Sequence, residues 1–135
     1  MRAPQKPLPI VDQDTQPFWE GCANGQLLLQ RCGQCGALRH PPSPFCHECL
    51  SPANEWVAAS GEGTVYSYVV VHRPFHPAWD GETPYVVAII ALAEGPHIMS
   101  NVVGVPVDQV AVGMPVKVTF ERATDEITLP KFGPL

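Results

Sequence analysis

Cys32-Gly33-Gln34-Cys35 and, after ten intervening residues, Cys46-His47-Glu48-Cys49 narrow what this chain can fold into more than any other stretch. Two Cys-x-x-Cys knuckles so close together supply four thiolates able to converge on one tetrahedral ion, the ligand set of a closed structural zinc site. A pair of disulfides is the alternative. With Cys32, Cys35, Cys46 and Cys49 all used as ligands, no coordination position stays open, so the ion is expected to hold structure and not to hydrolyse anything. Zinc is the expected metal, and iron is possible because a four-thiolate site accepts both. His47 could replace a cysteine but is not needed.

The surrounding segment is rich in Pro, Gly and Cys and poor in long aliphatics. A unit of that size folds only with a metal or disulfide staple, and structural zinc contributes on the order of 10 kcal/mol. No apolar signal segment opens the sequence, and the longest apolar run, Tyr85 to Ala93, is half the length of a membrane span. A soluble, cytoplasmic protein is therefore expected. Its thiols would be reduced, which favours metal over disulfides. The fifth cysteine, Cys22, reads as a small buried hydrophobe.

Taken in order, the first 13 residues read as a proline-bearing extended arm. Asp14 or Thr15 caps a short helix with Pro17 in its first turn, Phe18, Trp19 and Cys22 on one side, and Gly25 at its end. Leu27 to Arg31 leads into the first knuckle and Ala37 to His40 leads out, as a hairpin; Pro41, Pro42 and Pro44 stiffen the crossing to the second. From Glu55 on, short strands alternate with turn residues. The expected strands are Glu55 to Arg73, broken at Gly61-Glu62-Gly63, then Tyr85 to Ala93, His97 to Val103, Val116 to Arg122 and Glu126 to Leu129. Three strands, a connection and two more strands is the order of a five-stranded OB barrel. The fold class is thus mainly β: an arm and helix over residues 1–25, a zinc ribbon over 26–54 and an OB-fold barrel over 55–135.

The first two barrel strands are apolar on both sides. Tyr66, Tyr68 and Val70 are read on one face, Val65, Val69 and Val71 on the other, so both faces need cover, which the ribbon and helix are expected to supply in preference to another subunit. Between these strands, residues 74–85 form a long proline-rich connection carrying Phe75 and Trp79. These aromatics either meet a partner or fold back on the barrel. No catalytic residue is expected: the five histidines are scattered, and no nucleophile elbow or phosphate-binding glycine loop is present.

Several pieces resemble one family when taken together: Phe18-Trp19 before Gly25-Gln26-Leu27, the paired knuckles around Pro41-Pro42, and Gly61-Glu62-Gly63-Thr64-Val65-Tyr66-Ser67. Pro84-Tyr85-Val86-Val87, Val112-Gly113-Met114-Pro115-Val116 and Leu129-Pro130-Lys131-Phe132 complete the set. The chain resembles the OB-fold proteins with an N-terminal rubredoxin-like zinc ribbon, long filed as a domain of unknown function. The resemblance implies a small non-catalytic partner of thiolases or thiolase-like aldolases acting on acyl-CoA in lipid, steroid side-chain or aromatic degradation. Some members are fused to a hydratase-like domain; without such a segment in this sequence, a stand-alone subunit is expected. Phe18, Trp19, Arg31, Arg39, Phe75 and Trp79 are the candidate contacts to a partner, and the arginines could also face a coenzyme A phosphate.

The competing reading is single-stranded nucleic-acid binding, a frequent use of OB barrels. Charge argues against it. Eight Lys and Arg stand against thirteen Asp and Glu, a net charge of −5. From Glu55 on, the only cations are Arg73, Lys117, Arg122 and Lys131, too few for a groove that tracks phosphates.

Overall fold

The computed structural model describes residues 5–135, so the first four residues of the expected arm lie outside it. Helix α1 (Gln16–Ala23) carries Pro17 in its first turn. Its start is not fastened by a side chain of Asp14 or Thr15 onto the helix. Instead Asp12 Oδ1 accepts the Thr15 N–H at 2.9 Å while Thr15 Oγ1 accepts the Asp12 N–H at 3.1 Å. Phe18 and Cys22 are buried in the main core, as the apolar side of so short a helix requires.

A three-stranded antiparallel sheet follows, in the order β2 (Leu38–Arg39), β1 (Leu28–Cys32), β3 (Asn54–Ala58). The third strand departs from the sequence reading, which joined residues 55–58 to the first barrel strand. Asn54 to Ala58 pairs with Cys32 to Leu28 along its whole length. The break at Gly61 is thus a passage from one sheet to another. Gly61 has φ +83°, and a Cβ there would lie 2.5 Å from Val118 Cγ1, so both the backbone conformation and the space demand glycine.

The barrel closes in the order β4 (Glu62–Val71), β5 (Tyr85–Leu92), β6 (His97–Val102), β8 (Thr128–Pro134), β7 (Pro115–Arg122). Val65, Val86, Ile90, Ile98, Val116 and Phe132 fill its interior. β8 runs five residues past the expected Leu129, although Pro130 and Pro134 lack the N–H that a ladder uses. They are tolerated because β8 pairs fully with β7 on one side and meets β6 only at Val102 and Phe132 on the other, so few ladder donors are needed there.

The face assignment on β4 is also corrected. The register shifts between Val65, opposite Ile90, and Ser67, opposite Ile89, which makes Tyr66 the extra residue of a bulge. Beyond it the parity reverses: Tyr68 and Val70 join Val65 against the core, while Tyr66 and Val69 stand outward, each 60 % exposed. The expected cover is incomplete as well. Helix α1 packs on β1, β7 and β8, and with the crossing loop it comes up to the β6 edge beside Met99 and Asn101, while Tyr66 and Val69 on the outer side of β4 stay exposed. No helix among the described residues is long and apolar enough to cross a membrane.

Candidate metal centre and partner surfaces

The two knuckles meet because β1 delivers Cys32 at its end while the turn after it folds Cys35 back. The Cys32 Sγ accepts the N–H groups of Gln34 and Cys35 at 3.3 and 3.4 Å, and the Cys46 Sγ accepts that of Glu48 at 3.3 Å. Both knuckles close alike: Gly36 N–H donates to Cys32 O and Leu50 N–H to Cys46 O, with Gly36 at φ +79° and Leu50 at φ +63°. Leu50 is the only residue other than glycine with positive φ among the described residues.

The four sulfurs lie within 4.8 Å of one another, with Cys32 to Cys49 at 3.5 Å and Cys35 to Cys46 at 3.6 Å. Thiolates about 2.3 Å from a tetrahedral ion stand about 3.8 Å apart, so the residues fit a four-coordinate metal, and all five cysteines are free of disulfides. Two of the four thiols are prepared for it. The backbone N–H groups of Cys35 and Gln34 pull the Cys32 thiol down to about 6, and those of Cys49 and Glu48 lower the Cys46 thiol. For Cys35 and Cys49, the backbone N–H groups of Ala37 and Ser51 are outweighed by burial and neighbouring sulfurs, which push those thiols up. Thiolate is the ligating form. His47 stays outside the cluster, its Nε2 beside Glu48 Oε1 at 3.3 Å. Bound there, the ion crosslinks two segments and has no site for substrate.

Cys22 behaves as the buried hydrophobe expected: burial pushes its thiol up to about 12.

The candidate partner residues do not form one surface. Phe18 is interior and meets Trp19 edge-on at 5.0 Å. Arg31 is exposed, with Glu55 Oε1 3.7 Å away. Arg39, by contrast, is 4 % exposed; Nη2 donates to Ser43 O at 2.9 Å while Nε and Nη1 find no acceptor. It lines a cleft of about 810 Å³ between the crossing loop and the β5–β6 turn. The long connection divides its aromatics between the two readings. Trp79 is half-buried, with Lys6 Nζ 5.5 Å from its ring, and Lys6 also donates to Glu82 at 2.6 Å. Phe75 is 84 % exposed.

Relatives share this architecture. The family described as "ChsH2, rubredoxin-like zinc ribbon domain" matches residues 19–55, and "ChsH2, C-terminal OB-fold domain" matches 56–121. A solved chain described as "Ltp2-ChsH2(DUF35) aldolase" is 43 % identical, superposes with a TM-score of 0.87, and the match covers 94 % of this chain and 98 % of that one. The chain belongs to the ChsH2 family of DUF35 proteins. Two curated relatives are longer. A probable enoyl-CoA hydratase alpha subunit of Thermomonospora curvata is 43 % identical over 96 % of this chain and 40 % of its own length. The 3-oxo-4,17-pregnadiene-20-carboxyl-CoA hydratase alpha subunit of Mycobacterium tuberculosis is 40 % identical over 83 % of this chain and 35 % of its own. The chain thus spans less than half the length of these two relatives. Its four-cysteine centre falls wholly within the match to the ChsH2 zinc ribbon.

Proposed function

We propose that the chain is a non-catalytic accessory subunit that binds and stabilises a thiolase or thiolase-like aldolase acting on acyl-CoA. The observation that carries this reading is the likeness, at 43 % identity over nearly the whole of both chains, to a chain of the Ltp2-ChsH2(DUF35) aldolase. The hydratase relatives, one of them acting on a steroid carboxyl-CoA by its name, support an acyl-CoA pathway of the lipid or steroid side-chain kind. The metal would be one zinc held by Cys32, Cys35, Cys46 and Cys49, with no part in chemistry. A reducing, cytoplasmic setting suits those thiolates. Exposed Phe75 and Arg31 are the contacts best presented to a partner; Phe18 and Arg39 would act indirectly, by shaping the helix and the crossing loop.

Co-expression with the thiolase-type subunit of the same source, followed by size exclusion and an acyl-CoA lyase or thiolase assay with and without this chain, tests the reading. The two are expected to co-elute, with the enzyme more soluble or more active in the complex. An enzyme that is fully active alone and never co-elutes would refute it. The nucleic-acid alternative predicts sub-micromolar, salt-sensitive binding to single strands; at a net charge of −5 the expected affinity is no tighter than about 10⁻⁴ to 10⁻⁶ M.

A further inference from the structure

Three adjacent barrel strands carry almost no charge. Between Gly63 and His72, between Tyr85 and Ala93, and between Pro96 and Val107 there is no Asp, Glu, Lys or Arg, whereas β7 and β8 hold Lys117, Glu121, Arg122 and Lys131. The cross-strand register groups the outward residues of the uncharged strands: Val69 stands opposite Val87, which stands opposite Asn101, and Ile89 stands opposite Met99. Tyr66 reaches across to His97, ring centroids 4.7 Å apart. Met99 is 69 % exposed, and Val69 and Tyr66 are 60 % exposed. A solvated barrel face normally alternates apolar-in with charged or polar-out. Here the outward row is uncharged and largely apolar, interrupted by Ser67 and Asn101; the helix and the crossing loop come up only to its β6 edge, where Trp19, His40 and Pro41 line one cavity with Met99 and Asn101, and the β4 side stays exposed.

We propose that this outer face of β4, β5 and β6, continued past Val71 and Tyr85 onto the loop bearing Phe75, is where the thiolase-type subunit seats. The inference rests on the accessory-subunit reading and names the surface that serves it. Size decides between occupants. Three strands about 4.8 Å apart and some eight residues long at about 3.3 Å each present on the order of 400 Å², about half of what one partner contributes to a standard interface. A second copy stacked face to face would bury only that patch on each side, an area typical of crystal contacts. A larger partner can cover the face and also wrap its end, where Val71 pairs with Tyr85 and the chain leaves for exposed Phe75. The strand part of the contact is uncharged, so the partner's surface against it is apolar and charge-poor as well, while the loop adds Arg73 beside Phe75.

Val69→Glu and Met99→Glu place a carboxylate on the face at exposed positions, and Gln109→Glu places one off it as a control. Binding to the co-expressed thiolase-type subunit is measured by titration, with metal content and far-UV circular dichroism confirming that each variant is folded. Both face variants are expected to weaken binding at least about 100-fold, as burying an unpaired charge in an interface centre does, while the control binds as the unsubstituted chain. If the face variants bind normally, the surface assignment is overturned and the accessory role stands. If the unsubstituted chain itself fails to bind, the accessory reading falls and the assignment with it. A self-association of the isolated chain that Met99→Glu abolishes would make a second copy the occupant and overturn the proposal.

Discussion

Gln30 and Arg39 face one another across β1 and β2 and grip the same residue: Gln30 Oε1 accepts the Ser43 N–H at 2.8 Å, and Arg39 Nη2 donates to Ser43 O at 2.9 Å. Both side chains are buried. The crossing loop from His40 to Phe45, which has no ladder of its own, is thereby fastened on the ribbon sheet, and the second cysteine pair arrives opposite the first.

Replacing Gln30 by Leu keeps the volume and leaves the Ser43 N–H without its acceptor. The loss is expected to be about 1 to 3 kcal/mol, read by denaturant unfolding of the metal-loaded protein. An unchanged midpoint would show that the loop is held by its prolines alone.

Cys35→Ser removes one of the four thiolates. Metal analysis should find one zinc per chain in the original protein and little in the variant, with loss of ordered amide signals over residues 28–58, because binding contributes on the order of 10 kcal/mol to folding such a site. Stoichiometric iron, or metal retained in the variant, would contradict the assignment.

Leu50 occupies, after the second knuckle, the left-handed position that Gly36 fills after the first. A side chain there costs about 1 to 2 kcal/mol, whereas glycine costs about 0.5 to 1 kcal/mol in chain entropy. Because Leu50 is 74 % exposed, little packing is lost, and Leu50→Gly is expected to stabilise the ribbon by about 0.5 to 1 kcal/mol. Thermal unfolding at fixed metal checks the sign.

His40 sits beside the Phe18 ring at 5.2 Å, and burial pushes its pKa from 6.5 down to about 4. The unfolded chain therefore takes up the proton first. The contribution of neutral His40 is complete above about pH 6.5 and is lost as pH falls toward 4, an effect of up to about 3 kcal/mol. In His40→Phe that part of the acid limb should flatten. Comparing the two proteins at each pH separates it from proton competition at the thiolates, and identical acid limbs would rule it out.

What could be read in the sequence was local. The metal ligands lie within an eighteen-residue window, and α1 and the clean alternation of β7 need only neighbours to be recognised. Long-range choices left no such mark. Residues 54–58 have the same strand-forming character whether they join β1 or β4, and only the pairing partner decides. The bulge at Tyr66 was hidden because β4 is apolar on both faces, so reversing its parity changes no visible pattern. Arg39, read as a surface charge, is interior because Ser43 offers it an acceptor through a loop whose path the sequence does not state.

The chain's passage at Gly61 from one sheet to the other also orders its assembly in time. Every strand of the ribbon is complete at Ala58, before any barrel strand begins, and its pairings are short-range. The barrel, in contrast, must bring Glu62 against Lys117, and non-local pairing of that kind is slow. As the nascent chain emerges N-terminus first, the ribbon can capture its ion and close while the barrel strands are still being made. Metal supply at synthesis then decides whether α1, which packs against both β1 and the late strands β7 and β8, has a finished platform when the barrel closes.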